Sequence, residues 1–481
     1  MTAETNDRRV SQRGLLAALT VAGASFALLQ AIVVPALTPI QDDLHTTTAW
    51  VGWTVSIYLL AASVATPILG RMGDQFGKDR MLMVTLALFT IGSLLSMFAW
   101  NIWSLIAFRA LQGTGGAVYP LCFSIIRDEM PARRMGVAMG LISAMLGVGG
   151  GMGLVISGLI VDHASWRWLF LVGVVFGLLG LVLTKRFIPA SPHRAPASVD
   201  IPGAVLLSLG LVGLLVALTE GNRWGWTSGR VLGLIGAALL VLVVWVVVER
   251  RVASPLVDIR MLTRLPVLFT NLAGLFCGFA MYAIFTVLPQ FIQMPRPLPP
   301  EARDLVTSGF GPSVTGAALF MLPGALAMLP AGPYGGRLGL MIGSRLALAI
   351  GLVVSACGAA LLAGLHAHAW QVIVFYIVGA AGVAVAFGAM PKVIADAVEP
   401  TETGIATGMN TVIRTVGSAI GAQVAITLLA SRTIPGTSIP AESGFSVSLW
   451  LGAAAGFIGA AIALFIPRQP RAHEVSVHTV G

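Results

Sequence analysis

"DEMPARRMGVAMGLISAMLGVGGGMGLVI", residues 128–156, aligns without gaps with "DAVEPTETGIATGMNTVIRTVGSAIGAQV", residues 396–424. Both stretches begin with an aspartate and share glycines at four positions. The matched pairs are Asp128 with Asp396, Gly136 with Gly404, Gly140 with Gly408, Gly149 with Gly417, and Gly153 with Gly421. A repeat that keeps its register indicates two copies of one structural unit.

A weaker match lies ahead of each copy. "GRMGDQFG", residues 70–77, resembles "GPYGGRLG", residues 332–339, with Gly336 in the place of Asp74. Each segment joins one long apolar run to the next. The two matches together predict two halves with the same order and orientation of elements, related by an axis along the membrane normal.

The composition places most of the surface in lipid. Hydrophobic residues make up 57% of the 481 residues, and charged residues only 10%. A soluble chain carries about 25% charged residues. The formal net charge is +9, but the basic residues are scattered through short loops, so we do not expect a nucleic-acid partner. The three cysteines fall in apolar runs and read as small buried hydrophobes.

Fourteen apolar runs are long enough to cross a bilayer as helices. They are approximately residues 14–37, 49–70, 81–100, 102–126, 135–160, 166–188, 201–219, 230–249, 265–293, 308–331, 343–365, 370–395, 403–430 and 446–467. The fold class predicted is an all-α integral membrane protein with two parallel six-helix repeats. The seventh and eighth runs remain as a central two-helix hairpin.

The expected domain bounds follow from these runs. We expect an N-terminal tail at 1–13, a six-helix half at 14–188, a linker with two extra helices at 189–264, a second six-helix half at 265–467 and a C-terminal tail at 468–481. Of the 29 lysines and arginines, 21 fall on the side of the N-terminus, six on the other side and two within spans. The positive-inside rule therefore predicts that both termini are cytoplasmic. We expect this multi-pass protein in the plasma membrane.

Two motifs now support a resemblance. "GRMGDQFGKDR", residues 70–80, resembles the signature between helices 2 and 3 of the major facilitator superfamily, and "RALQGTGGA", residues 109–117, resembles its helix 4 motif. The arrangement of six, two and six helices resembles the superfamily's fourteen-helix branch of drug:proton antiporters, as does the stretch that starts at Ser308. The resemblance covers nearly the whole chain and implies a monomeric transporter without a cofactor.

The helix 2–3 signature implies a latch on the cytoplasmic side. In the superfamily, an acid and neighbouring bases in this loop pair with an acid at the end of helix 4, for which Asp128 is the matching position. The latch residues expected from the signature are Gly70, Gly73, Asp74, Gly77, Arg80 and Asp128. The alternative is a solvated loop that only sets the topology.

Helix 5 resembles the family's antiporter motif in part. Its glycines are Gly140, Gly149, Gly153 and Gly158. Leu154 stands where the motif has a proline, and Ser157 replaces the first of its closing glycines. The proline kink is therefore missing, which weakens the antiporter assignment specifically. The glycines either allow ordinary close packing of helices or also limit ion leak.

Arg109 lies inside the fourth apolar run, where an unpaired charge costs several kcal/mol. Gln112 and Tyr119 fall near the same helix face, so helix 4 is expected to line a central cavity. The helix 1 position that carries an acid in the fourteen-helix branch falls at about Leu29, beside Gln30, and no carboxylate lies deep in any span.

Several partners for Arg109 and several routes for coupling therefore stay open. Arg109 is held by Gln30, by Tyr58 or by backbone carbonyls, or it binds an anionic substrate group directly. A proton pathway requires a group that titrates in the working range, which arginine does not provide. The remaining candidates are Asp42 or Asp43 at the outer end of the cavity, and the cytoplasmic acids Asp74 and Asp128.

A second arginine, Arg414, lies within helix 13, one turn after Asn410. We expect both residues on the transport pathway; the alternative is hydrogen bonding that holds the bundle together.

The predicted function is secondary active export of small amphiphilic compounds, with the proton as coupling ion. The alternative is export of an endogenous lipid or an anionic secreted metabolite. A membrane enzyme is disfavoured because the sequence shows no nucleophile–base pair or metal-ligand cluster, and no Gly-rich phosphate loop indicates ATP. A homologue that senses rather than transports is disfavoured by the intact latch signature.

Overall fold

The computed structural model describes residues 11–191, 200–252, 254–294, 310, 314–434 and 440–467. Most of the predicted N-terminal tail, the whole C-terminal tail and part of the stretch from Ser308 lie outside these ranges. Within them the regular structure is helical, apart from one isolated bridge between Thr433 and Pro440. The all-α prediction is therefore confirmed.

Seventeen α-helices follow one another in the described part of the chain. They are α1 (Gln12–Ile32), α2 (Leu37–Asp43), α3 (Thr48–Phe76), α4 (Lys78–Met97), α5 (Ile102–Gly113), α6 (Val118–Glu129), α7 (Ala132–His163), α8 (Trp168–Phe187), α9 (Ile201–Trp224), α10 (Gly229–Glu249), α11 (Ile259–Thr263), α12 (Leu265–Ile292), α13 (Val314–Ile342), α14 (Ser344–Gly364), α15 (Ala369–Ala397), α16 (Thr403–Ser431) and α17 (Glu442–Leu464).

Thirteen of the fourteen predicted spans are continuous helical stretches in the described residues, each long and apolar enough to cross a membrane. The fourth span is divided into α5 and α6, of 12 residues each, by a 3-10 turn at Thr114–Ala117. The turn brings the glycines of the helix 4 motif against α3, where Gly113 touches the Tyr58 carbonyl and Gly116 touches Ala62. Side chains there would hold the two helices apart.

The two halves repeat the same packing. In the first half Gly149 of α7 lies against Ala27 of α1, and in the second half Gly417 of α16 lies against the Leu275 backbone of α12. The matched glycines therefore join corresponding helix pairs, as the parallel repeat predicts.

The extra helices α9 and α10 pack against each other beside the bundle. Leucines and valines of α10 are largely exposed, as expected for a helix that faces lipid, whereas α9 packs against α3 and α16. Two buried carboxylates anchor the base of the hairpin: Asp200 accepts hydrogen bonds from the Gly203 and Leu256 amides, and Glu249 accepts them from the Trp245 indole and the Val257 amide.

The halves meet closely at one face of the bundle. We call it the termini face, because the start of α1 and the end of α17 lie there; the other is the opposite face. Gly70 of α3 lies against the Gly404 backbone of α16, and Gly140 of α7 lies against the Gly332 backbone of α13. Along the remaining length, α7 and α13 stay in contact as far as Thr315, which donates a hydrogen bond to Asp162.

Candidate functional site

The connection between α3 and α4 is a single residue, Gly77, at the termini face. Its φ of 108° lies in the left-handed region, which glycine adopts without strain. Lys78 therefore starts α4 immediately after α3 has ended. This turn directs the Lys78 side chain inward, where it is only 1% exposed.

Lys78 and Asp128 form a buried ion pair. The Lys78 Nζ lies 2.6 Å from the Asp128 Oδ2, and both side chains are at most 2% exposed. The same ammonium also donates to the Pro400 carbonyl in the second half, at 3.5 Å. Arg80 is exposed, so Lys78 rather than Arg80 is the basic partner of Asp128 in this conformation.

Asp74 belongs to the first half and lies at its boundary with the second half. Its carboxylate is buried against Gly404, in the first turn of α16, and the Ile405 amide lies near enough to stabilise its charge. Neither carboxylate oxygen has a well-aligned hydrogen-bond partner among the described residues. Because this carboxylate lies against the first turn of α16, it faces the positive end of that helix's dipole.

Arg127 forms a further contact between the halves, which the sequence reasoning missed. Its guanidinium donates to the carbonyls of Val398 and Glu399 and to the Thr403 hydroxyl. From here on, "the latch" means Asp74, Lys78, Arg127 and Asp128 in the first half together with residues 398–405 in the second. The available signal was the position of Arg127 next to Asp128 in the last turn of the fourth span.

Arg109 finds its partners inside the first half. Its Nε donates to the Thr54 carbonyl at 3.0 Å and its Nη1 to the Leu29 carbonyl at 3.3 Å. The same Nη1 donates to the Gln112 side chain, and the guanidinium lies 4.1 Å from the centroid of the Tyr58 ring. Of the partners considered for Arg109, the structure therefore shows Tyr58 and the backbone carbonyls.

Arg109 and Gln112 consequently lie behind the wall of the central cavity instead of along it. Both are 0% exposed, and Gln112 donates onward to Ser93 of α4 at 2.6 Å. The close packing of α5 on α3, allowed by the glycines, leaves no space on that helix face for a cavity. Tyr119, which follows the 3-10 turn, does line the cavity, so the expectation holds for the second part of the span and is wrong for Arg109 and Gln112.

A cavity of about 180 Å³ lies between the halves, among α1, α3, α9, α12 and α16. Its polar lining residues include Gln30, Tyr119, Tyr282, Arg414 and Gln423. Its apolar lining residues include Phe26, Leu59, Leu146, Met281 and Phe387. No aspartate or glutamate is among the residues that line it in the described chain.

The expected pathway residues of α16 separate into two roles. Arg414 lines the cavity with its guanidinium carbon 4.5 Å from the centroid of the Phe387 ring. Asn410 is buried and donates to Asn271 of α12 at 3.0 Å, which holds α16 to α12. Gln30, expected as a partner of Arg109, instead donates to the Tyr282 hydroxyl across the cavity.

The glycines of the antiporter-like motif lie on two faces of α7. Gly149 and Gly153 lie against α1, whereas Gly140 and Gly158 lie against Gly332 and Thr315 of α13. The helix runs from Ala132 to His163 without interruption. The absence of the motif's proline is consistent with that continuous helix.

Of the outer acids considered for coupling, Asp43 is engaged at the opposite face. It accepts hydrogen bonds from Arg167 at 2.6 Å and from the Trp166 indole at 3.1 Å. A carboxylate that the sequence reasoning overlooked is Glu220 of α9, which accepts from the Trp53 indole at 2.9 Å and pairs with Arg223 at 3.3 Å. It follows the cavity-lining Thr219 by one residue.

These features define the class of protein: a polytopic membrane transporter, with a cavity between two parallel six-helix halves and a polar contact that joins them at one face. The family model of the Major Facilitator Superfamily matches residues 19–422 and 305–480. The chain therefore belongs to the Major Facilitator Superfamily, a family of transporters rather than enzymes.

Named relatives agree with this assignment, and a solved structure shares the fold. The multidrug transporter protein MdtP of Bacillus subtilis (strain 168) is 26% identical over 87% of this chain and 75% of its own length. The tetracenomycin C resistance and export protein of Streptomyces glaucescens is 29% identical over 87% of this chain and 76% of its own. The structure of the proton:xylose symporter XylE superposes with a TM-score of 0.65 at 15% identity, covering 95% and 96% of the two chains, and shares the fold.

Proposed function

We propose that this protein exports small amphiphilic molecules across the plasma membrane, by alternating access and in exchange for protons, as a monomer with both termini in the cytoplasm. The cavity between the halves carries the proposal, because it combines apolar walls with a few polar groups, as ligand sites do. Relatives named for multidrug transport and for tetracenomycin C resistance and export support an amphiphilic substrate.

The latch supplies the conformational step. Charged groups of the first half contact the 398–405 segment at the termini face, and glycine contacts bring the backbones together beside them. Release of these contacts lets the halves separate at the termini face and exposes the cavity there. This is the switching of one half against the other around a fixed site.

Asp74 is the proposed coupling group. It lies at the boundary of the halves, and protonation removes the charge that interacts with the α16 N-terminus. A proton bound at Asp74 therefore weakens the closed termini face. The cavity lining offers no carboxylate for this role in the described residues.

The test is uptake of ethidium, an amphiphilic cation, into proteoliposomes with and without an imposed pH gradient. We expect gradient-dependent ethidium accumulation by wild type. Asp74→Asn should abolish accumulation but keep gradient-independent counterflow, because the cavity is intact while the titrating group is lost. The control is Asp42→Asn, at an exposed carboxylate of the opposite face. Wild-type uptake that ignores the gradient would contradict proton exchange.

A further inference from the structure

Arg414 differs from the other arginine of the spans because it lines the cavity and its guanidinium makes no hydrogen bond to the described residues. Arg109 donates to two backbone carbonyls and to the Gln112 side chain. For the Arg414 guanidinium, the described residues offer only the face of the Phe387 ring. Its five N–H donors therefore remain available to a ligand.

The charge of Arg414 is also uncompensated. The titratable groups around it are the Cys277 thiol and the Tyr119 and Tyr282 hydroxyls, all of them uncharged near neutral pH. A guanidinium in the membrane interior without a carboxylate is costly, and such residues mark substrate or ion pathways.

The geometry points to an anion-binding site at Arg414: we infer that the substrates of the cavity include amphiphilic anions, whose carboxylate, sulfonate or phosphate group binds this guanidinium. This inference rests on the proposed transport function and names a substrate class for the same cavity. The planar guanidinium fork matches the oxygens of such groups, and the pairing is strengthened by the low-dielectric surroundings.

The rest of the cavity fits the apolar part of such a molecule. Phe26, Leu59, Met281 and Phe387 supply apolar wall, and the Gln30–Tyr282 hydrogen bond places polar groups on another side. A cavity of about 150 Å³ is enough for benzene in a protein interior. The volume of about 180 Å³ therefore fits a small aromatic body that carries one acidic group.

The test compares naphthalene-1-sulfonate with naphthalene-1-sulfonamide, which keeps the ring and the shape but has no charge. Saturable binding is measured by fluorescence with the full-length protein in nanodiscs of zwitterionic lipid. We expect wild type to bind the sulfonate about ten to a hundred times more tightly than the sulfonamide, the range for a charged hydrogen-bonded pair. Arg414→Gln should lose this preference, and Arg414→Lys should retain part of it.

The control for folding is the thermal unfolding midpoint of each variant. Equal wild-type affinity for sulfonate and sulfonamide, or unchanged sulfonate binding by a folded Arg414→Gln protein, overturns the inference. Displacement of the sulfonate by phosphatidylglycerol in the nanodisc assigns the natural anion to a lipid headgroup, and lack of displacement assigns it to a soluble compound. Ethidium transport without sulfonate preference would leave the exporter proposal standing and refute the anion site alone.

Discussion

The two arginines in the spans make different side-chain contacts, and these contacts indicate different roles. Arg109 is fully enclosed by α1, α3 and its own helix, and its charge is dispersed over carbonyl oxygens and an aromatic ring. Arg414 faces the cavity and has an aromatic ring but no hydrogen-bond acceptor among the described residues. Arg109 is thus a structural residue of the first half, and Arg414 belongs to the cavity.

A stability comparison tests this division. Arg109→Gln should lower the free energy of unfolding by about 2 kcal/mol or more, because charged hydrogen bonds are lost and buried carbonyls lose a donor. Arg414→Gln should cost less, since no hydrogen bond is lost. The thermal unfolding midpoint in detergent measures both. Equal destabilisation by the two substitutions would show that Arg109 is not held as described.

At the scale of the elements, α3, α4, α6 and the start of α16 assemble the latch. The Lys78–Asp128 pair connects α4 to α6, and its position depends on the one-residue turn at Gly77. Arg127 and Asp74 extend the contact to the second half. The sequence predicted the region and the acids, but the choice of Lys78 over Arg80 depends on which side of α4 faces inward.

A double-mutant cycle at the latch follows from the burial of the pair. Lys78→Met alone should destabilise the protein by about 3–5 kcal/mol, because it leaves the Asp128 carboxylate buried without its cation. Asp128→Leu in the same chain should recover much of that loss. The measurement is the midpoint of thermal unfolding for both single variants and the double variant.

The matched control is Arg80→Met, a change of the same kind at the exposed base two residues away. It should have little effect on stability. Additive losses in the Lys78 and Asp128 variants would mean that the two residues do not interact in solution.

In the whole molecule, α9 connects the two halves at the opposite face. Glu220 accepts a hydrogen bond from Trp53 of α3, in the first half. Asn222 donates to Gln423 of α16 and accepts from Thr427 of the same helix, in the second half. α9 is therefore part of the cavity wall and connects the two halves.

Cross-linking tests whether α9 moves relative to the second half. In a chain with its three cysteines replaced, Asn222→Cys and Gln423→Cys are joined by a short bifunctional methanethiosulfonate. We expect the cross-link to abolish gradient-driven ethidium transport, because on this hypothesis switching requires the contact between α9 and α16 to open.

The matched pair is Gly213→Cys with Ala238→Cys, which joins α9 to α10 within the hairpin. This cross-link should leave transport close to that of the untreated protein. Full activity of the cross-linked 222–423 pair would show instead that α9 and α16 move together.

The sequence by itself determined the membrane environment, the number of spans and the parallel repeat. These follow from hydrophobic run length and from glycine positions in register, both of which are local properties of the chain. It also predicted the acids of the latch: Asp74 within the segment from Gly70 to Arg80, and Asp128 as the matching acid at the end of helix 4.

The tertiary structure alone decided what each buried charge faces. Arg109 and Arg414 look alike in the sequence. The Arg109 guanidinium, however, donates hydrogen bonds to carbonyls of other helices, whereas the Arg414 guanidinium faces the cavity. The roles of Arg127 and Glu220 likewise depend on segments that lie far away along the chain. Helix periodicity fixes the direction of a side chain, but the neighbour in that direction is set by how whole helices pack.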